Sequence, residues 1–321
     1  EKKDDYLSVI DKSCIHSVAA SSLVQLRQQH GLDAKGHNDT FLRNMTLIFH
    51  EWAISRGDLT DASALETVFN SSLQSGIESY DQFLVDAGLQ SCLYHCRKSN
   101  WEEARNVTTS LCYYCEATGL KSHHVRTCVQ MALIKLESNP TQFMAGLPPL
   151  LQALSLSEKN EVYGLHAAAL IILAKIFLRL GNPTRALRIL QAAVPTLLDR
   201  EHIWFHGEAF LLEAKCHFDV GLAKKSTLRK RRMKAALNSL KRSQELFERC
   251  HDFFLLREVF YLQARIHSTL EQPSEREVAA QRFIDISAYL ERHQDVASPI
   301  LDSVQDGPGL DSLVRRSVPA C

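Results

Sequence analysis

Three segments in the second half of the chain repeat one another, and this repetition restricts the possible folds more than any other feature. The clearest copy spans residues 169–198, where an apolar stretch over 170–180, a Gly-Asn-Pro turn and a second apolar stretch from Thr184 follow in order. Glycine permits the left-handed backbone that often ends a helix, and proline suits the first turn of the next helix. The copy therefore predicts two helices joined by a tight turn. Such pairs bury their apolar faces against neighbouring pairs, which predicts a solenoid.

Small residues mark the positions at which the two predicted helices cross. Ala174 lies in the middle of the first helix, Ala186 and Ala193 line the second, and Phe177 supplies an aromatic side chain between them. In this pattern the segment resembles a tetratricopeptide repeat. The resemblance implies an all-α fold, a helical-repeat solenoid in which antiparallel helix pairs form a right-handed superhelix. Pro195 is expected to end or kink the second helix.

The domain organisation follows from the spacing of the copies. Two further copies are centred on Ala214 and Ala264, 40 and then 50 residues further along the chain, whereas the ideal period is about 34. Part of the excess lies in segment 222–233, which is therefore predicted to be an enlarged, exposed turn. Residues 161–295 are expected to hold these three clearer repeats, residues 1–160 more divergent helical pairs, and residues 296–321 a poorly ordered tail.

The divergent first half contains weaker versions of the same pattern. A turn near residues 99–101 separates two apolar-periodic stretches, and a helix over residues 125–133 is expected to end near Asn139. The earliest predicted pair consists of Phe41–Ser55 and Ala62–Leu73, on either side of Gly57. About six helical pairs are expected in all.

Composition excludes several classes of protein. The formal net charge is zero, so no general attraction to nucleic acid or to an anionic membrane is expected. No apolar run reaches the length of about eighteen residues that a membrane span needs. The first residues do not form a signal peptide, and nine cysteines favour a reducing compartment with free thiols. The absence of an initiator methionine suggests a fragment of a longer protein.

Cysteine and histidine residues in the first half form a candidate zinc site. Cys112 and Cys115 have a spacing that zinc ligands often show. Both nevertheless fall in a predicted helix, whereas zinc-binding cysteines usually lie on turns, and free cysteine is a common core residue. We therefore interpret these thiols as packing residues and expect no metal and no cofactor. The other residues of the candidate cluster are Cys92, His95, Cys96, His123 and His124.

One cluster of like charges stands out, over residues 224–232. It falls within the predicted turn and is expected to be exposed. Three functions fit it: a nuclear localisation signal, a dock for an acidic partner, or a segment regulated by phosphorylation of Ser226 or Thr227. A solvated loop without a function fits equally well. The candidate partner-binding residues here are Arg229, Lys230, Arg231 and Arg232.

The repeat register predicts a second cationic feature, a basic ladder. Lys175, Lys215 and Arg265 each follow the reference alanine of their repeat, a position that looks into the concave groove of this repeat type. Arg179 lies one turn beyond Lys175. Together they predict a binding site for an acidic peptide or tail. The alternative is that these residues are ordinary cations of exposed helix faces.

Motifs that carry enzymatic chemistry are missing from the sequence. There is no phosphate-binding glycine-rich loop, no His-Glu-x-x-His, no Gly-x-Ser-x-Gly and no kinase signature. With the repeat pattern, this favours a binding protein over an enzyme, and no catalytic residue is predicted.

The stretch from about Tyr163 to Arg292 resembles the C-terminal tetratricopeptide region of the subunit-five family of the anaphase-promoting complex, or cyclosome. The order of apolar stretches and turns carries the resemblance, and the matching segments are residues 170–180, 181–187, 207–216, 240–254 and 260–267.

The resemblance implies a non-catalytic scaffold in a cullin-RING-type ubiquitin ligase that destroys cell-cycle regulators, located in nucleus and cytoplasm. Its implied partners are other large subunits of the complex, without direct contact to nucleic acid, membrane or a small-molecule substrate. Two other hypotheses remain open at this stage. One is a stand-alone adaptor that grips an acidic peptide in its groove, and the other is a metal-dependent enzyme that uses the cysteine and histidine cluster.

Overall fold

The structure, a computed structural model, describes residues 38–59, 62–63, 81–198, 203–223 and 225–293. Most of the predicted helix Ala62–Leu73 and the predicted tail 296–321 therefore lie outside the described residues. Within the described ranges the chain forms eleven α-helices and one short 3-10 helix, and no strand.

The helices follow one another with short connections. Their bounds are α1 (Asn38–Arg56), α2 (Asp81–Arg97), α3 (Trp101–Thr118), α4 (Lys121–Glu137), α5 (Leu147–Lys159), α6 (Tyr163–Arg179), α7 (Pro183–Leu198), α8 (Ile203–Leu222), α9 (Ser226–Cys250), α10 (Phe253–Thr269) and α11 (Pro273–His293), with the 3-10 helix Pro140–Gly146 before α5.

From α2 onward the helices form five pairs: α2–α3, α4–α5, α6–α7, α8–α9 and α10–α11. Buried apolar clusters join each pair to the next, so that neighbouring pairs share one continuous core. The predicted all-α, tetratricopeptide-like solenoid of helix pairs is therefore confirmed.

Residues with a left-handed backbone stop the helices at the turns between them. Gly119 and Gly181 have φ angles of 72° and 71°, and the second of these lies in the predicted Gly-Asn-Pro turn. The same conformation occurs at the non-glycine residues Ser99, Glu161, His251 and Glu271, with φ between 54° and 59°. The turn at Ser99 was predicted from the apolar pattern around it. Because side chains other than glycine rarely adopt this backbone, Glu161 and His251 themselves carry little signal of a turn.

The predicted enlarged turn over segment 222–233 is wrong. Helix α9 begins at Ser226, so only residues 223–225 connect it to α8. The extra residues lengthen the helix to 25 residues, against 16 in α7. The physical reason is that the segment contains no glycine or proline after Ser226, consists largely of good helix formers, and buries Met233 completely.

The expected end of the helix at Pro195 is also wrong, because α7 continues through this residue to Leu198. Proline removes one backbone hydrogen bond of the helix. Burial of Leu190, Ala193 and Leu197 on the opposite face holds the helix against the neighbouring pairs despite that loss.

The first helices of the pairs form an inner ring. Helices α2, α4, α6, α8 and α10 pack against one another in sequence, and α1 packs against both α2 and α10. Each of α3, α5, α7 and α9 packs against the two inner helices that flank it in the chain, and α11 packs against α10. The described part of the chain is therefore a two-layered solenoid whose inner layer closes on itself.

A buried polar cluster holds the two ends of the ring together. The Arg56 guanidinium donates a hydrogen bond to the Tyr289 hydroxyl at 2.8 Å, and this hydroxyl donates to an Asp58 carboxylate oxygen at 2.9 Å. The guanidinium also lies 4.3 Å from the centre of the Trp52 ring. Arg56 and Asp58 are almost completely buried, so each needs these partners to offset its lost hydration.

A second polar contact ties α2 to α8 and α10 through a single carboxylate. Asp252 accepts a hydrogen bond from Leu255 N at 3.0 Å and so caps α10. Its other carboxylate oxygen accepts from Arg97 Nη2 at 2.8 Å and from Trp204 Nε1 at 2.9 Å. Asp252 therefore fixes the start of α10 and the closure of the ring together.

We expect Tyr289→Phe to lower the free energy of unfolding by about 2 kcal/mol, because two buried charged groups lose a hydrogen-bond partner. Urea denaturation followed by circular dichroism measures this change. Tyr113→Phe is the matched control, since Tyr113 is 70% exposed on the outer helix α3 and should change the free energy by less than about 0.5 kcal/mol. Equal effects of the two substitutions would contradict the closure that we describe.

Candidate partner-binding site

The residues of the predicted basic ladder lie on the inner helices, but carboxylates of the same chain neutralise most of them. Lys175 on α6 forms ion pairs with Glu137 on α4 at 2.8 Å and with Glu208 on α8 at 2.9 Å. Arg179 pairs with the same Glu137 and also donates to the Leu136 carbonyl. Two of the ladder cations thus join three consecutive inner helices to one another.

The next cations along the ring have partners of two kinds. Lys215 on α8 forms an ion pair with Glu258 on α10 at 2.6 Å. Arg265, which is exposed on α10, places its guanidinium 4.9 Å from the centre of the Phe218 ring of α8. Lys175, Lys215 and Arg265 therefore each contact the neighbouring inner helix, and this role was not apparent from their sequence positions.

The pKa values of the paired groups reflect a favourable arrangement of charges. Burial alone would raise the pKa of Glu137, but the Lys175 and Arg179 charges outweigh it and lower this pKa to about 2. Burial opposes the charged form of Lys175 as well, yet Glu137 and Glu208 raise the pKa of Lys175 above its usual value. Burial likewise opposes ionisation of Glu258, and Lys215 lowers its pKa overall. All three groups are thus held in their charged forms at neutral pH.

The inner surface is largely neutralised but remains accessible to water. The Glu258 carboxylate on α10 is influenced by the charges of Lys175 on α6 and Glu137 on α4, which belong to other inner helices of the ring. Its side chain is still 42% accessible, so water reaches this surface. An acidic peptide that entered here would have to displace the carboxylates that already hold Lys175, Arg179 and Lys215.

The sequence analysis did not predict the acidic partners of the ladder, although their spacing along the chain indicates them. Glu137 and Glu208 lie 38 residues before and 33 residues after Lys175, and Glu258 lies 43 residues after Lys215. These separations are each close to one repeat period, so the acids occupy the inner helices on either side. A search for opposite charges one period apart would have found them.

The second predicted site, the basic cluster, lies on the outer layer. Arg229, Lys230, Arg231 and Arg232 are exposed in the first two turns of α9. Arg232 lies 3.2 Å from the His217 Nδ1 atom on α8. Within the described ranges, Arg229, Lys230 and Arg231 make no ion pair. The cluster is therefore exposed, as predicted, but on a helix rather than on a loop.

The candidate zinc ligands lie in different packing clusters of the structure. Cys92 and Cys115 are buried in apolar clusters, and Cys112 contacts the Thr127 hydroxyl at 3.3 Å. Across the part of the chain that the structure describes, no three histidine, cysteine, aspartate or glutamate side chains converge as metal ligands would. A search of the same residues finds no helix with the length and apolar character of a membrane span.

Comparison with known proteins identifies related sequences. No protein-family model matches the chain. Anaphase-promoting complex subunit 5 of Pongo abelii and that of Homo sapiens are each 28% identical to it over 196 residues, and that of Rattus norvegicus is 27% identical over 191 residues. The match to the first two covers 61% of this chain and 26% of each relative. The resemblance to subunit five is thereby confirmed, and the chain spans about a quarter of the length of the curated relatives it matches.

Comparison with solved structures supports the fold. The structure of NprR in complex with its cognate peptide NprX superposes with a TM-score of 0.52, over 99% of this chain and 90% of that chain. The sequence identity is 12%, a level at which the likeness concerns the fold alone. It agrees with a tetratricopeptide-like arrangement of helices.

We expect Lys175→Met to lower the free energy of unfolding by about 3 kcal/mol at pH 7, because Glu137 and Glu208 lose the ammonium group between them. The matched control is Lys234→Met on the outer helix α9, where the lysine is exposed, and its effect should stay below about 0.5 kcal/mol. Urea denaturation of both variants measures the difference. A Lys175 variant as stable as the Lys234 variant would show that the inner ion pairs contribute nothing.

The difference between wild type and Lys175→Met should also depend on pH. A carboxyl whose pKa is lowered on folding contributes stability above its unfolded pKa, near 4.5 for Glu137, and loses it as the pH falls towards about 2. The wild type therefore loses this contribution between pH 4.5 and 2, whereas the variant lacks most of it from the start. We expect the two unfolding free energies to converge over this interval. A gap that stayed constant down to pH 2 would rule out the Glu137 pairing as its source.

Proposed function

We propose that this chain is part of a non-catalytic scaffold subunit of the anaphase-promoting complex, a cullin-RING-type ubiquitin ligase that acts in cell-cycle protein degradation. The similarity to subunit 5 of this complex supports the proposal. The observation that supports it most is the inner surface, where the ring is closed and Lys175, Arg179 and Lys215 are paired with carboxylates of the same chain. A repeat protein built in this way offers its outer faces to partners and keeps the distances between them fixed.

Apolar side chains exposed on the outer layer fit such a role. Met144, Pro148 and Leu151 are all exposed, and the spacing of three residues places Pro148 and Leu151 on one side of α5. Tyr113 on α3 is exposed as well. Exposed apolar groups of this kind are typical of surfaces that another protein covers.

The proposal assigns no bond chemistry to the chain. Its partners are other large subunits of the same complex, and other chains of the complex supply catalysis. No direct contact with nucleic acid, membrane or a small-molecule substrate is part of it. Residence in nucleus and cytoplasm is proposed on the same grounds, since cell-cycle regulators are degraded in both.

A stand-alone adaptor that binds an acidic peptide is the second candidate. One specific observation favours it: the similar NprR structure is a complex with a peptide. The ion pairs of Lys175, Arg179 and Lys215 count against it, because a peptide would have to replace three internal carboxylates. A measurable affinity of the isolated chain for an acidic peptide, lost in Lys215→Met, would favour the adaptor.

Affinity purification of the tagged full-length protein from dividing cells, with mass spectrometry, tests the scaffold. We expect cullin-like, RING and other tetratricopeptide subunits in near-equal amounts. Arg56→Ala, which removes the cation of the ring closure, should reduce their recovery at least fivefold. Arg105→Ala, at an exposed position of α3, is the matched control and should leave recovery unchanged.

Recovery of one small acidic partner, or of no partner, would overturn the ligase assignment. Normal recovery with Arg56→Ala would show that the closed ring is not needed for assembly. The helical-repeat fold does not depend on either result.

A further inference from the structure

The outer helix α9 carries charge of a single sign along most of its length. Between Lys224 and Arg242 the sequence has nine lysine and arginine residues and no aspartate or glutamate. The whole chain, in contrast, balances 37 basic against 37 acidic residues. Because α9 is a continuous helix, its basic residues continue well beyond the cluster at 229–232.

Five of these cations share one side of the helix, and we name them the basic stripe. They are Lys230, Arg231, Lys234, Lys241 and Arg242, all exposed and separated by one, three or seven residues. The opposite side of α9 is buried through Met233, Ala236, Leu240 and Phe247. At about 1.5 Å of rise per residue, the basic stripe is about 18 Å long. It is therefore a linear surface on the outside of the solenoid.

The basic stripe differs from the inner ladder in its pairing. Lys175, Arg179 and Lys215 each have a carboxylate partner. Of the stripe, Arg242 lies 5.5 Å from the centre of the Phe210 ring. Lys230, Arg231, Lys234 and Lys241 form no ion pair within the described residues. Carboxylates of the same chain thus neutralise these inner cations, whereas most cations of the basic stripe can still pair with a partner's carboxylates.

The basic stripe destabilises the isolated helix. Lys230 and Lys234 are four residues apart, a spacing at which like charges cost a few tenths of a kcal/mol. The first turn of α9 contains no acidic residue, although the helix dipole favours negative charge there. An acidic partner would reverse both effects, because its carboxylates would lie next to the lysines and close to the positive end of the helix.

Two exposed leucines, one on either side of the connection between α8 and α9, indicate the chemistry of the partner. Leu228 is 54% exposed in the first turn of α9, and Leu222 is exposed at the end of α8. The only aromatic residue of α9 is Phe247, which is buried. Single-stranded nucleic acid usually stacks its bases on exposed aromatic side chains, whereas the Phe210 ring beside the stripe is half-buried and already lies against the Arg242 guanidinium. Cations beside apolar groups instead match a protein segment that combines carboxylates with an apolar side chain.

We propose that the basic stripe binds an acidic segment of a neighbouring subunit in the same assembly. The segment presents three or four carboxylates over about 18 Å, with an apolar residue at the end that meets Leu228. That the partner is a subunit of the same assembly rests on the function proposed above. That the basic stripe binds an acidic protein segment does not depend on that function.

Zero-length crosslinking of the purified complex with a carbodiimide tests the contact directly, because this reagent joins a lysine amine to a carboxylate that touches it. We expect Lys230, Lys234 and Lys241 to be linked to aspartates or glutamates within one short segment of one partner chain. Lys121 and Lys159, which are exposed on α4 and α5, serve as internal controls for reactivity. Links only to this chain's own acids, such as Asp302 and Asp306, would overturn the proposal, as would an absence of stripe links while the control lysines react.

Binding measurements on the isolated chain test the basic stripe independently of the proposed complex. A labelled 16-residue peptide with repeating Glu-Glu-Leu-Glu sequence, a 20-nucleotide single strand and vesicles containing phosphatidylserine are the three probes. We expect the peptide to bind most tightly at 150 mM salt, and R231Q/K234Q/K241Q to weaken it at least tenfold. The control R105Q/K121Q/K159Q removes the same charge from exposed positions elsewhere and should leave the affinity unchanged.

Each outcome of the binding experiment decides the proposal. Equal affinities of the two triple variants, or tighter binding of the oligonucleotide or of the vesicles, would overturn it. Circular dichroism should show both variants to be as helical as the wild type, so a loss of binding reports the charge. If the tagged protein recovers no ligase subunits, the proposed function fails, while the free-chain experiment still decides whether the surface binds acidic protein.

Discussion

The contact of α1 with α10 and α11 converts an open stack of helix pairs into a ring, and much of the remaining structure depends on it. Arg56, Asp58 and Tyr289 form its polar centre, with hydrogen bonds that span more than 230 residues of sequence. A buried guanidinium and carboxylate would destabilise the fold if they separated, because each would lose its partner without regaining water. Opening the ring is therefore costly, and the inner helices stay at fixed distances from one another.

The packing of consecutive inner helices also explains how the charges are distributed. In an open solenoid, cations of the inner helices would face a groove wide enough for a guest. Here each inner helix packs against the next, and Lys175 reaches carboxylates on both neighbours at 2.8 and 2.9 Å. Partly buried charges of one sign would be unfavourable, so Lys175 and Lys215 each face an acid on an adjacent inner helix. The exposed cations of α9 face no such requirement, because water screens them.

The sequence predicted the local features of the fold well and the long-range ones poorly, and the difference has a physical origin. Gly181 and Pro183 act on their own backbone, so the helix pair around them could be located. The turns at Glu161 and His251 adopt the same left-handed backbone through packing, without a residue that favours it. The cations of the ladder were identified, but their partners Glu137 and Glu208 belong to other repeats. The Arg56–Tyr289 contact was beyond any periodic pattern, since it joins the two ends of the described chain.

The error over segment 222–233 shows how one wrong local assignment changes a functional argument. As a loop, the basic cluster would be an irregular group of charges, suited to a localisation signal or a modification. Because these residues instead form the first turns of a 25-residue helix, they continue into Lys234, Lys241 and Arg242 and form a linear charged surface along the helix axis. A closed ring whose inner cations are mostly paired can still recognise partners through such outer helices, because their spacing is set by the inner layer. The outer layer then recognises partners, while the inner layer keeps the solenoid rigid. A substitution of an exposed residue on α9 can therefore change partner binding without changing the stability of the ring.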